Sequence, residues 1–222
     1  MPQIDYRARL QPKPGGEADV LGPNDPSNIL YPLWATKGVL FPYTPSLAAG
    51  YVVDYDPSAF VHTNYGYNAY IRSYPKPLSL TAEFTAQTTT EALYLLAVIH
   101  FFRSVTKTYF GINPYNKAGT PPPVLLFNYL GQYQYNDVPI VIKNVDYTHE
   151  ANIDYVPVST SSTQPAPGGP SLPATDTNGY TYVPTHMTIS IEMDTQYIPI
   201  KLRNKFNLDL FRQGKLMDQG FI

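Results

Sequence analysis

The chain has 222 residues, a length for one domain or for one domain with substantial arms. Only 14% of its residues are charged, against about 25% in an ordinary globular protein, while tyrosine reaches 20 and proline 23. A net charge of -2 leaves no basic footprint for sequence-specific nucleic-acid binding, and the lack of cysteine excludes a disulfide framework, a thiol nucleophile and a thiolate zinc site. With 43% hydrophobic residues the chain can bury a core and is not generically disordered. The feature to explain is a charge-poor, tyrosine-rich surface, since tyrosine is enriched where protein meets protein.

The opening Met-Pro-Gln-Ile-Asp-Tyr-Arg has an early acid and no apolar run, so no signal peptide is expected. The most apolar stretch, Leu93 to Phe102, is far short of the roughly 20 residues a bilayer demands, so no membrane segment is expected and the chain should fold in a cytoplasm. Residues 1–38 are rich in proline, glycine and asparagine and read as an extended, poorly ordered arm or as a loop that docks on something. From Gly38 onward the texture is β-prone: Val39 to Phe41, Tyr51 to Val53 and Tyr67 to Tyr74 are short segments set between turn residues. Leu78 to Thr85 alternates, with Leu78, Leu80, Ala82 and Phe84 on one face and Ser79, Thr81, Glu83 and Thr85 on the other, the pattern of a half-buried strand.

Residues 88–109 predict the one prominent α-helix. Thr88 and Glu91 have capping-box spacing. Ala92, Leu95, Leu96, Ile99, Phe102 and Val105 then form an apolar stripe, with Leu95, Leu96, Ile99 and Phe102 as its core contacts. Burial of those six side chains is worth on the order of 10 kcal/mol as an upper figure. Arg103 and Lys107 suit the helix C-terminus, and Gly111 can supply a left-handed cap.

After a stiff Gly119-Thr-Pro-Pro-Pro, the segments Val124–Phe127, Gly131–Tyr135 and Val138–Val145 predict strands, with Asn136-Asp137 as a hairpin turn. Residues 157–183, dominated by serine, threonine, proline and glycine, predict a long exposed loop. His186 to Tyr197 alternates again, with Met187, Ile189, Ile191 and Met193 on one face. The tail from Pro199 interleaves Lys201, Arg203, Lys205, Arg212 and Lys215 with apolar positions. The expectation is a mainly β domain over 39–198, a sandwich or barrel with one flanking helix, between a terminal arm at 1–38 and a docking tail at 199–222.

The chemistry of catalysis is not written in this sequence. The histidines at 62, 100, 149 and 186 have no metal spacing, and neither a nucleophile elbow nor a phosphate-binding loop occurs. His62 fits a loop-orienting hydrogen bond better than a metal ligand, and Asp54 with Asp56, before a proline, fits a turn better than a catalytic pair. No enzyme, cofactor or metal is expected. The basic tail reads as a nucleic-acid arm or as a docking segment in which Phe206, Leu208, Leu210, Phe211 and Leu216 enter a neighbour, and Asp209 and Asp218 favour docking. The tyrosines read as sugar-stacking faces or as subunit interfaces, and twenty of them spread along the chain suit extended interfaces better than one pocket.

The run Phe41-Pro-Tyr-Thr-Pro, then His62-Thr-Asn-Tyr, then the strand–helix unit at 84–111 resembles baseplate proteins of contractile-tailed bacteriophages. The likeness continues through residues 119–127, 136–142 and the closing Gly220-Phe-Ile, and it is similar to the tail-tube initiator branch of that group. The resemblance implies a tail-tube-like fold in a homo-hexameric ring whose inner sheets make a continuous barrel. It implies a ring seated on the baseplate hub that initiates the tail tube, in contact with tube protein and other baseplate proteins. The tape-measure protein and later DNA would pass non-specifically through the lumen, and the location would be the virion tail after assembly in the host cytoplasm. Tyr65, Tyr67, Tyr70, Arg103, Lys107 and the apolar tail positions are the expected assembly residues. The rival expectation is a carbohydrate-binding β-sandwich of a host-recognition appendage.

Overall fold

The two alternating segments pair with each other. In the computed structural model, described over residues 6–110, 118–159 and 180–222, Leu78, Leu80, Ala82 and Phe84 lie opposite Met193, Ile191, Ile189 and Met187. All eight are at 2% exposure or less. Ser79, Thr81 and Glu83 lie opposite Glu192, Ser190 and Thr188 and turn to the other face, because side chains alternate along a strand.

The chain builds strands β1 (Arg9–Pro12), β2 (Val39–Leu40), β3 (Ser46–Ala48), β4 (Tyr51–Ser58), β5 (Tyr67–Pro75) and β6 (Leu78–Thr85). These are followed by β7 (Leu125–Tyr129), β8 (Tyr135–His149), β9 (Tyr155–Ser159), β10 (Tyr180–Pro184) and β11 (His186–Thr195). Helices are α1 (Glu17–Leu21), α2 (Thr89–Val105), α3 (Pro199–Lys205) and α4 (Leu208–Arg212). The protein is mainly β, with a seven-stranded antiparallel sheet in the order β2-β1-β7-β8-β11-β6-β3 and the two-stranded pairs β4–β5 and β9–β10. Where β8 meets β11 the register shifts between Glu192 and Met193, leaving Lys143 as the extra residue. That bulge explains why the apolar positions of β8 change phase between Ile142 and Val145.

Helix α2 covers the apolar face together with β9–β10, whose Val158 and Val183 are buried, and the N-terminal turns. Its start is fixed by a reciprocal cap: the Glu91 amide donates to Thr88 Oγ1 at 3.3 Å, and the Thr88 amide donates to Glu91 Oε2 at 3.3 Å. The buried set is wider than a single stripe. Ala97, Val98 and Phe101 are buried as well, whereas Leu96 is only half-buried, because the helix is covered on two sides. The helix ends at Val105 with Thr106 as C-cap, its hydroxyl donating to Phe102 O at 3.0 Å, four residues earlier than the sequence suggests. Gly111, expected as its cap, lies outside the described residues.

Three further expectations are corrected. From residue 8 on, 1–38 is not an arm: β1 lies between β2 and β7, and Ala8, Leu10, Leu21, Leu30 and Leu33 are buried. Leu10 opposite Phe127 completes the apolar face, and Asn28 ties the proline-rich turns by donating to Leu21 O at 2.7 Å and Pro23 O at 2.8 Å. Gly38, at φ 133, is needed where a Cβ would stand 2.3 Å from Leu10 O. The β7–β8 turn falls at residues 130–134, with Leu130 and Gly131 at positive φ, and not at Asn136-Asp137. Asn136 and Asp137 lie within β8, where Asn128 exchanges two hydrogen bonds with Asp137 at 2.8 and 3.0 Å. The loop expected over 157–183 begins and ends as paired strand, Val158 opposite Thr181 and Pro157 opposite Tyr182, and its remainder lies outside the described residues.

Leu95→Ala should cost about 2–5 kcal/mol in a urea melt, and Leu96→Ala clearly less, because only Leu95 is fully enclosed. Tyr94 Oη accepts from the Leu40 amide at 2.8 Å and donates to Leu40 O at 3.0 Å, tying α2 to the short edge strand β2. Tyr94→Phe leaves both groups unpaired and should cost about 1–3 kcal/mol.

Candidate assembly surfaces

Strands β3 and β6 do not stop at the sheet edge. Ser46 and Ala48 pair with Thr81 and Ser79, the Lys76 amide donates to Gly50 O at 2.7 Å, and the same two chain segments continue as β4 and β5 from Tyr51↔Pro75 to Ser58↔Tyr67. The result is one long antiparallel ribbon whose near half is built into the sheet and whose far half stands off it. Pro75 and Pro77 stiffen the joint.

The far half packs on itself. Tyr55 and Tyr70 meet edge to face with centroids 6.0 Å apart, and Tyr70 Oη donates to Ser73 Oγ at 3.0 Å. Arg72 donates to Asp54 Oδ2 at 2.7 Å and lies 5.0 Å over the Tyr74 ring. Tyr51, Val53, Tyr55, Tyr67, Tyr70 and Ile71 are all exposed, and the tip presents Phe60, Val61 and Tyr65, the last at 88% exposure. A two-stranded hairpin is marginal alone in water, and this one leaves apolar groups uncovered on both sides. Tyr65, Tyr67 and Tyr70 therefore fall together on the ribbon. The aliphatic members of that surface, Val53, Val61 and Ile71, were missed by sequence reasoning. Val53 belongs to an alternating run, Tyr51, Val53 and Tyr55 against Asp54 and Asp56, whose apolar side is the exposed one, which the sequence pattern does not distinguish from a buried one.

The C-terminal segment builds a second surface. Pro199 opens α3, and the Asn207 side chain caps α4 by accepting from the Asp209 and Leu210 amides at 2.9 and 3.0 Å. Neither helix has a buried residue. They are held from beneath by ring contacts, Tyr197 stacked on Phe221 at 5.5 Å and Phe206 edge-on to Phe221 at 5.5 Å and tilted against Phe211 at 5.7 Å. Lys201 lies over the Phe221 ring and donates to Gln219 O, and burial there pulls its ammonium below the ordinary lysine range. Burial also pushes the Tyr197 hydroxyl up to about 12. Leu216 and Phe221 are buried within their own chain, so the expectation that Leu216 enters a neighbour is corrected. Phe211 is half-buried, while Phe206, Leu208 and Leu210 are exposed beside Ile198 and Ile200, which sequence reasoning passed over.

Arg103 and Lys107 are brought to neither surface. They are exposed near the C-terminal end of α2, where Lys107 borders a cleft of about 600 Å³ that also takes in Asp19, Tyr109 and Thr120. The uncovered face of the large sheet is polar: Thr81 and Ser190 hydroxyls meet across strands at 3.2 Å, and Lys143 lies 3.7 Å from Glu192 and 3.4 Å from Asp194. His186 sits between Glu83 at 3.9 Å and Glu150 at 3.4 Å. Among the described residues no group of three or more acidic or histidine side chains is placed to hold a metal, and no helix is long and apolar enough to cross a membrane. No family model matches the chain, and no curated protein does.

Gly220 anchors the tail, at φ 73 with a Cβ position 2.3 Å from Asp137 O. Gly220→Ala should loosen residues 199–222 selectively: amide exchange there should rise at least about tenfold while β6 and β11 stay protected.

Proposed function

We propose that this chain is a non-enzymatic structural subunit that closes with its own copies into a ring, and that the ring is the tail-tube initiator of a phage baseplate. The observation that carries the self-assembly half is the uncovered ribbon. A monomer that keeps Tyr51, Tyr55, Tyr65, Tyr67 and Tyr70 in water sacrifices burial that a neighbouring copy would supply, at roughly 1.5–3 kcal/mol for each large side chain fully covered. At the sheet edge, β3 pairs only with residues 79–81 of β6, so the rest of β6 has no strand on that side among the described residues and can pair with a neighbour.

The baseplate half rests on the sequence resemblance together with the two-faced sheet. In this reading the hexameric ring turns the polar faces of β6, β11, β8 and β7 toward a water-filled lumen, through which the tape-measure protein and then DNA pass without specific contacts. The ring sits on the hub and offers its other end to the first tube ring. The work is geometric: a rigid face of fixed symmetry replaces a slow nucleation step.

Purified protein should form rings of tube-like width in negative stain, alone or with hub protein. Replacing Tyr65, Tyr67 and Tyr70 together by serine should abolish the rings and leave the melting temperature of the monomer within a few degrees. A wild-type protein that stays monomeric with hub and tube protein present and binds glycans would instead establish the carbohydrate-binding alternative.

A further inference from the structure

The two ends of β11 differ in what they expose, with Glu192 and Asp194 near its Thr195 end engaged by Lys143. At the Thr195 end of that strand stand α3 and α4, with Ile200, Leu202 and Leu208 exposed and Arg203 and Lys205 in the last turn of α3. Residues 199–222 carry five basic and two acidic side chains, a net +3 in a chain whose net charge is -2, so the remainder carries -5. At the His186 end of the same strand, ten residues and about 30 Å away, Glu83 and Glu150 flank the imidazole. Exposed aromatic rings accompany those acids. Tyr43 shares a 2.8 Å hydrogen bond with Thr85, which is paired with His186, and Tyr155 and Tyr182 project from β9 and β10 directly before it.

We infer that the α3–α4 ledge of one copy docks on the Glu83–Glu150 end of a second copy, a head-to-tail contact between an apolar-cationic surface and an aromatic-anionic one. The ledge is made for a partner. Two short helices with no buried residue add little to their own core, yet the Asn207 cap of α4, the ring contacts and Lys201 hold them in place, so little entropy is lost on docking. Because the two surfaces differ and lie at opposite ends of a strand, the contact is heterologous and propagates along the strand direction. It uses neither face of the ribbon, and it shares with the ring reading only the need for a second copy.

The experiment is sedimentation velocity on the full chain at low salt and at about 0.5 M salt. Wild-type self-association should weaken with salt. Arg203→Glu with Lys205→Glu, and separately Glu83→Lys with Glu150→Lys, should each weaken it at least about tenfold, and the four together should restore it to within about threefold of wild type. Matching thermal melts exclude unfolding as the cause. A combined variant no better than either pair, or a salt-insensitive or strictly monomeric wild type, would overturn the contact. The ribbon serines separate the two readings: rings lost with the salt-sensitive contact intact supports the ledge, whereas a salt-sensitive association indifferent to all four charges sinks it.

Discussion

One face of one sheet is covered and the other is not. Helix α2, held at its start by the Thr88–Glu91 box and at Tyr94 by β2, lies over the apolar side chains of β6, β11, β8 and β7. Among the described residues, β9–β10 and the N-terminal turns complete that cover. The opposite face is therefore left to serine, threonine, asparagine and acids, whose short polar side chains tolerate water on one side and a flat wall on the other. Among the described residues, nothing covers the apolar side chains of the ribbon beyond β3 and β6. The unpartnered surfaces follow from this single-sided core.

How much of this was legible in the sequence depended on whether a segment's partner was local. β6 and β11 announced themselves by strict alternation, and α2 by its cap and its three- and four-residue spacing, because both signals are local and both were reinforced by burial. The N-terminal segment was misread because proline and glycine dominate its composition. What places it is Leu10 meeting Phe127, a contact 117 residues apart in sequence that no window detects. The same holds for Val158 and Val183, isolated valines beside a low-complexity stretch, which are buried only because α2 arrives over them. The wrong turn at Asn136-Asp137 has a different origin. Both residues favour tight turns, but the side-chain pairing of Asp137 with Asn128 used that tendency for an irregularity inside a strand.

The surfaces were legible as residue types and not as places. Tyr65, Tyr67 and Tyr70 are neighbours in sequence, and what the hairpin adds is Tyr55 against Tyr70, a pairing visible in the sequence only as two β-prone runs. The tail's apolar positions divided into two classes that composition cannot separate. Leu216 and Phe221 turn inward against β8 and Tyr197, while Leu208 and Leu210 turn outward. Gly220 decides the division, since only a residue without a side chain lets the last turn approach Asp137.

The ribbon also bears on the order of events in a closed assembly. If each copy lends its ribbon to the next, an open chain of any length always leaves one ribbon bare, and closure alone leaves none. Two, three or four joined copies then carry the same uncovered surface as a single one, so partial arcs gain nothing in completeness as they grow. The closing subunit removes the deficit in one step, and such a subunit population is expected to divide between free chains and finished rings, with little between.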